Sequence, residues 1–107
     1  MSDVPLITYS FTIYMAGQAR ESQDAEVKLR GLCESRLAGP YDLKVVDVFE
    51  QPEVAEQDGV VVVPTVVRTG PLPQLRVIGD LSDEVRTAAG LGFPDPLIAR
   101  RQDRDDE

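Results

Sequence analysis

Leu43-Lys44-Val45-Val46-Asp47-Val48-Phe49, Gly59-Val60-Val61-Val62-Val63-Pro64-Thr65 and Ile78-Gly79-Asp80-Leu81-Ser82-Asp83 decide how this chain folds. The first is a β-branched run long enough for one strand. The second is an apolar run from Val60 to Val67 interrupted only by Pro64 and Thr65. Proline has no amide to donate, so that run makes a strand only with Pro64 at its entrance or edge. The third places Ser82 where a helix cap is preferred, ahead of apolar positions Val85, Ala88, Ala89 and Leu91.

Upstream, Ile7, Tyr9, Phe11 and Ile13 alternate with Thr8, Ser10, Thr12 and Tyr14, the pattern of a strand with one face better buried. Ala16-Gly17 breaks it. Ser22 then reads as an N-cap with Asp24 and Glu26 in the first turn, and Leu29, Leu32, Cys33 and Leu37 recur at helical spacing up to the stop at Gly39-Pro40. A strand, a helix and the strand at Leu43 to Phe49 make a parallel crossover of right-handed sense. Gln51 to Asp58 leaves room for about two helical turns or a structured loop, and Gly70-Pro71-Leu72-Pro73 turns the chain into Leu75 to Ile78 as a hairpin. The order β-α-β-α-β-β-α is thioredoxin-like, in a single α/β domain. Its expected limits are an N-terminal extension 1–5, the domain 6–94 and an acidic, mobile tail 95–107.

With 107 residues the chain buries one core, and with 42% hydrophobic but only 6% aromatic residues that core is aliphatic. A net charge of −8, from 19 acidic and 11 basic residues, opposes the counterion release that drives nucleic-acid binding. No apolar run approaches the roughly 18 residues of a membrane span. No basic cluster precedes an apolar stretch at the N-terminus, so a cytoplasmic location without membrane or nucleic acid is expected.

Thiol–disulfide chemistry needs a cysteine at the start of the first helix. That place reads Gly17-Gln18-Ala19-Arg20-Glu21-Ser22, and the sole cysteine, Cys33, falls on the apolar stripe as a small hydrophobe. With no histidine and one cysteine, neither a Ser-His pair nor a cysteine- or histidine-based metal site is available. Gly79-Asp80 lacks the glycine spacing and the lysine of a phosphate loop, and Asp80 and Asp83 read as caps rather than as a catalytic pair. No catalytic residue, metal or cofactor is expected.

Tyr14-Met15-Ala16-Gly17, Leu43-Lys44-Val45-Val46-Asp47-Val48, Val63-Pro64-Thr65, Pro71-Leu72-Pro73 and Ile78-Gly79-Asp80-Leu81-Ser82-Asp83 stand in the order that resembles the KaiB family, adaptors of the bacterial circadian clock. The resemblance runs without a gap from about Tyr9 to Leu91. It implies a non-catalytic adaptor that exists in two folds sharing the first βαβ unit. One has a thioredoxin-like second half; the other is a rearranged ground state, often assembled into tetramers. The adaptor would dock on a KaiC-like ATPase, engage KaiA or a sensor kinase with its own KaiB-like domain, and form a dimer or tetramer in at least one state.

The binding edge implied by the resemblance is the second strand and the helix after it, with Asp42, Lys44, Asp47, Glu53 and Asp58 near the contact. Lys44 reads equally well as an exposed lysine that blunts a strand edge. Pro64 stands at the place of the cis proline of thioredoxin-like folds. Pro71 and Pro73, with Gly90 and Gly92 in the Gly90-Leu91-Gly92 segment that helps set the balance between folds, join it as fold-switch or structural positions. The alternatives are a thioredoxin-like sensory or interaction domain of a histidine-kinase pathway and a stress-response KaiB paralogue outside a true clock.

Overall fold

The computed structural model describes residues 8–94. The expected extension 1–5, the tail 95–107 and Ile7 lie outside the described residues. The elements are β1 (Tyr9–Met15), α1 (Arg20–Arg36), β2 (Tyr41–Asp47), α2 (Pro52–Gln57), β3 (Thr65–Gly70), β4 (Leu75–Ile78) and α3 (Glu84–Gly90). This is the expected β-α-β-α-β-β-α order. The sheet runs β2-β1-β3-β4, with β1 parallel to β2 and antiparallel to β3, and β4 antiparallel to β3.

The central place of β1 covers both of its faces, and the face of Phe11, Ile13 and Met15 meets the larger core, in keeping with the expected strand with one face better buried. Phe11, Ile13 and Met15 enter a large core with Ala25, Leu29, Leu32 and Cys33 of α1, Val66, Leu81, and Ala88, Leu91 and Phe93 at and beyond α3. Tyr14 enters a smaller core on the other face with Val46, Ala55 and Val67, flanked by Val48, Val54, Val60 and Val63. A strand covered on both faces need not alternate apolar with polar.

The apolar stripe of α1 forms as expected, but Ser22 does not cap it. Ala19 occupies the N-cap without a side-chain bond. Ser22 is buried inside the first turn, where its hydroxyl accepts from the Ala16 amide at 3.0 Å. Helix α3 is capped by Asp83, which accepts from the Arg86 amide at 3.0 Å, while Ser82 turns back to Asp80. Of the expected apolar positions Ala88 and Leu91 are buried, whereas Val85 and Ala89 are exposed and Thr87 faces the core instead.

The second strand ends at Asp47, so Val48 and Phe49 already belong to the turn into α2. Val60 to Val63 are not strand: β3 begins at Thr65, immediately after buried Pro64. Four successive β-branched residues favour extended backbone, yet two of them, Val60 and Val63, are drawn onto the small core below α2. Tertiary packing outweighs local preference there. The peptide bonds preceding Pro64, Pro71 and Pro73 are cis.

Candidate functional site

β2 is an edge strand because, among the described residues, nothing pairs beyond it in the order β2-β1-β3-β4. Asp42 and Lys44 are exposed on it, opposite Ser10 and Thr12 of β1. By the two-residue repeat of a strand they share the face that carries Val46 and, across the register, Tyr14. Asp47 closes the strand. Its carboxylate accepts from the Phe49 amide at 2.9 Å and its carbonyl accepts from Gln51 at 2.8 Å, which turns the chain straight into α2. Pro52 stands in the first turn of α2, where its missing amide is not needed, and exposed Glu53 stands beside it.

Asp58 follows the last turn of α2 and accepts a hydrogen bond from the hydroxyl of buried Tyr14. Arg76 of β4 donates to the carbonyls of Asp58 at 2.7 Å and Gly59 at 3.3 Å. The end of α2 is thereby fastened to the middle and the outer strand of the sheet. The five expected residues thus fall on one continuous element pair, Asp42 and Lys44 on the strand edge and Asp47, Glu53 and Asp58 around α2. Among the described residues Lys44 forms no ion pair. Four carboxylates to one ammonium make this edge acidic. The links from Tyr14 and Arg76 to the end of α2 were not legible in the sequence, since their partners lie on strands and loops far along the chain.

The remaining expected positions have local steric and hydrogen-bonding duties. Pro64 is buried and its carbonyl accepts from the Gly79 amide at 2.8 Å. Pro71 and Pro73 form the hairpin turn, and the Pro73 carbonyl accepts from Arg68 at 3.0 Å. A Cβ at Gly90 would stand 2.8 Å from Val77, and one at Gly92, whose φ is +70°, would stand 2.6 Å from Arg68. Arg68, 6% exposed, also donates to the Leu91 carbonyl at 3.2 Å and lies 5.8 Å over the Tyr9 ring. An arginine inside the run Val66-Val67-Arg68 was the one sequence signal for it.

At the start of α1 there is no sulfur. Cys33 is fully buried, and loss of hydration pushes its thiol up to about 12, so it stays protonated and unreactive. The Asp80 carboxyl is held below its usual range by hydrogen bonds from the Ser82 hydroxyl and amide, which fits a turn rather than proton transfer. Among the described residues no group of three or more His, Cys, Asp or Glu could hold a metal ion, and no helix is long and apolar enough to cross a membrane.

The fold and this helix start define a thioredoxin-like domain without the thiol pair. Its architecture matches the N-terminal domain of Synechococcus elongatus SasA with a TM-score of 0.67 at 21% identity, covering 83% of this chain and 86% of that one. Mitochondrial thioredoxin 3 of Saccharomyces cerevisiae matches with a TM-score of 0.62 at 18% identity, covering 78% and 76%. In sequence, residues 12–93 match the KaiB domain. The circadian clock oscillator protein KaiB of Synechococcus elongatus is 40% identical over 102 residues, covering 95% of this chain and 97% of that protein. The chain belongs to the KaiB family.

Proposed function

We propose that this protein is a non-catalytic clock adaptor of the cytoplasm that docks on a KaiC-like ATPase through β2 and α2 and acts by exchanging partners. The observation that carries the reading is the match to KaiB along nearly the whole chain. It is supported by a strand edge unpaired among the described residues and set beside a fastened helix, and by an α1 start without sulfur where a redox enzyme would need an exposed thiolate, the cysteine Cys33 being buried near the other end of the helix. Asp42, Lys44, Asp47, Glu53 and Asp58 form the contact. KaiA or a sensor kinase with a KaiB-like domain engages the same adaptor, which forms a dimer or tetramer in at least one state.

A second reading, an interaction domain of a histidine-kinase pathway, draws on the likeness in fold to the SasA domain. A stress-response role beside another KaiC-like ATPase is the third. Co-migration with a purified KaiC-like ATPase on a sizing column tests the first. Lys44→Glu should weaken that complex by roughly 1 to 3 kcal/mol if the lysine is desolvated in it and by less if it sits at the rim. Absence of co-migration with wild-type protein removes the adaptor reading.

A further inference from the structure

Asp58-Gly59 is the one Asp-Gly pair in the sequence, which has no asparagine. An aspartate followed by glycine is the pair most prone to close a cyclic imide, a succinimide, because glycine sets no side chain against its own amide nitrogen. Both residues are exposed just past α2, and a Cβ built on Gly59 would meet nothing within 4 Å, so water and a turning peptide have room. Gly59 has φ +68°, backbone that glycine adopts without strain. The other described aspartates precede larger residues, Asp47 a β-branched valine and Asp80 the buried Leu81.

Closing the ring joins the Gly59 nitrogen to Cγ of Asp58, so about the Cα–C bond of Asp58 that nitrogen must come to eclipse Cβ. At ψ 3° it eclipses the Asp58 nitrogen instead. The bond has to rotate, and hydrogen bonds resist it. The Gly59 amide donates to the Glu56 carbonyl at 3.1 Å, Arg76 donates to the Asp58 carbonyl at 2.7 Å, and the Tyr14 hydroxyl donates to Oδ2 of the carboxylate itself. The folded chain thus holds the reacting atoms apart. The hold is local: α2 has 6 residues with Ala55 buried among them, and a short element of that kind opens ahead of the global fold.

We propose that Asp58-Gly59 is a self-modification site, converting to isoaspartate through a succinimide when the end of α2 opens, and that the bonds from Tyr14 and Arg76 set how often it opens. The Gly59 nitrogen attacks Cγ of the protonated Asp58 carboxyl. The N–Cγ bond forms, a Cγ–O bond breaks, and that oxygen leaves as water with the carboxyl and amide protons. A second water then adds to the former backbone carbonyl carbon of Asp58, whose bond to nitrogen breaks. A proton is released and that carbon ends as a free carboxylate, while the main chain runs through Cβ and Cγ and is one methylene longer. Neither oxidant, cofactor nor partner enters.

The new carboxylate forms on the carbon whose oxygen Arg76 holds, with the second guanidinium nitrogen on the Gly59 carbonyl at 3.3 Å. A charge-assisted bond replaces one to a neutral acceptor there. Arg76 therefore favours opening of the imide to isoaspartate over return to aspartate. Tyr14 loses its carboxylate partner in the same step, because Cγ has become a main-chain carbonyl. The fastening of α2 moves from β1 toward β4.

Ageing of the full chain for weeks at physiological temperature and neutral pH tests this, with peptide mapping and fragmentation that tells isoaspartate from aspartate at residue 58. Wild type should convert slowly when folded and faster when unfolded in guanidinium chloride. Tyr14→Phe should quicken conversion of the folded protein roughly fivefold, the factor that a hydrogen bond of about 1 kcal/mol represents. Cys33→Ala, which loosens the other core and touches neither bond, should not quicken it. Arg76→Gln should lower the share of imide that opens to isoaspartate. Equal rates for folded and unfolded wild type, an unchanged rate in Tyr14→Phe, equal acceleration by Cys33→Ala, an unchanged share in Arg76→Gln, or isoaspartate gathering at Asp80 ahead of Asp58 would each overturn the proposal.

Discussion

The two faces of the sheet are built differently. Under α1 and α3 lies a core in which the rings of Tyr9, Phe11 and Phe93 stack pairwise and which closes over Leu29, Leu32, Cys33, Val66 and Leu91. Under α2, a helix of 6 residues, the buried apolar cluster is Tyr14, Val46, Ala55 and Val67, and polar links from Tyr14 and Arg76 complete the attachment. Burial of apolar area is the larger and less directional contribution, whereas a hydrogen bond nets about 1 kcal/mol. The first face therefore sets stability. The second fixes the position of α2 at the candidate contact edge while contributing little to it.

Substitutions can break that contrast. Leu29→Ala, at a fully buried site on the large core, should cost about 2–5 kcal/mol in urea unfolding. Gly92→Ala forces a side chain into left-handed backbone and against Arg68, and should cost about 1–3 kcal/mol. A neutral result at either position would mean that the large core does not dominate.

Cys33→Ala should cost on the order of 1 kcal/mol at neutral pH, with partner binding intact. The wild type should carry a pH dependence that this variant lacks. The folded thiol titrates near 12, above the roughly 8.5 of an unfolded cysteine. Its contribution is whole below about pH 8.5 and is lost as pH rises toward 12, because only the unfolded chain ionises. Parallel urea midpoints of the two proteins from neutral to alkaline pH would contradict the burial of this thiol.

Tyr14→Phe keeps the buried ring and removes only the bond to Asp58, so it should cost about 1 kcal/mol or less. Hydrogen exchange at Asp58–Val60 should quicken while amides of α1 stay protected. A loss as large as that of Leu29→Ala would show that the small face carries global stability after all.

The order of elements was legible because each has a local signature: alternation for β1, the Leu29-Leu32-Cys33 stripe for α1, the proline-rich turn for the hairpin. The caps were not. Ser22 and Ser82 have the right chemistry at nearly the right place, but whether a hydroxyl caps its own helix or reaches Ala16 or Asp80 depends on how the preceding loop arrives. Val60–Val63 misled for a related reason, since β-branching describes a preference and the small core takes two of those side chains away from the sheet plane. The strand carrying Lys44 could be placed from sequence, although as Leu43 to Phe49 and not as Tyr41–Asp47, whereas the Tyr14–Asp58 link joins residues separated by 44 positions and exists only once β1 becomes central.

Arg68 bears on which residues could replace it. Its guanidinium spans two carbonyls, Pro73 in the hairpin and Leu91 beyond α3, and its buried Nε has no partner among the described residues. A lysine offers a point charge without that planar fork, and would be buried with the same loss of hydration but fewer contacts. Methionine removes the charge and fills much of the volume. Substitution by the chemically similar residue is thus the harsher change: Arg68→Lys should unfold at lower urea than Arg68→Met, and the reverse ranking would show that the charge itself holds the hairpin to the end of α3.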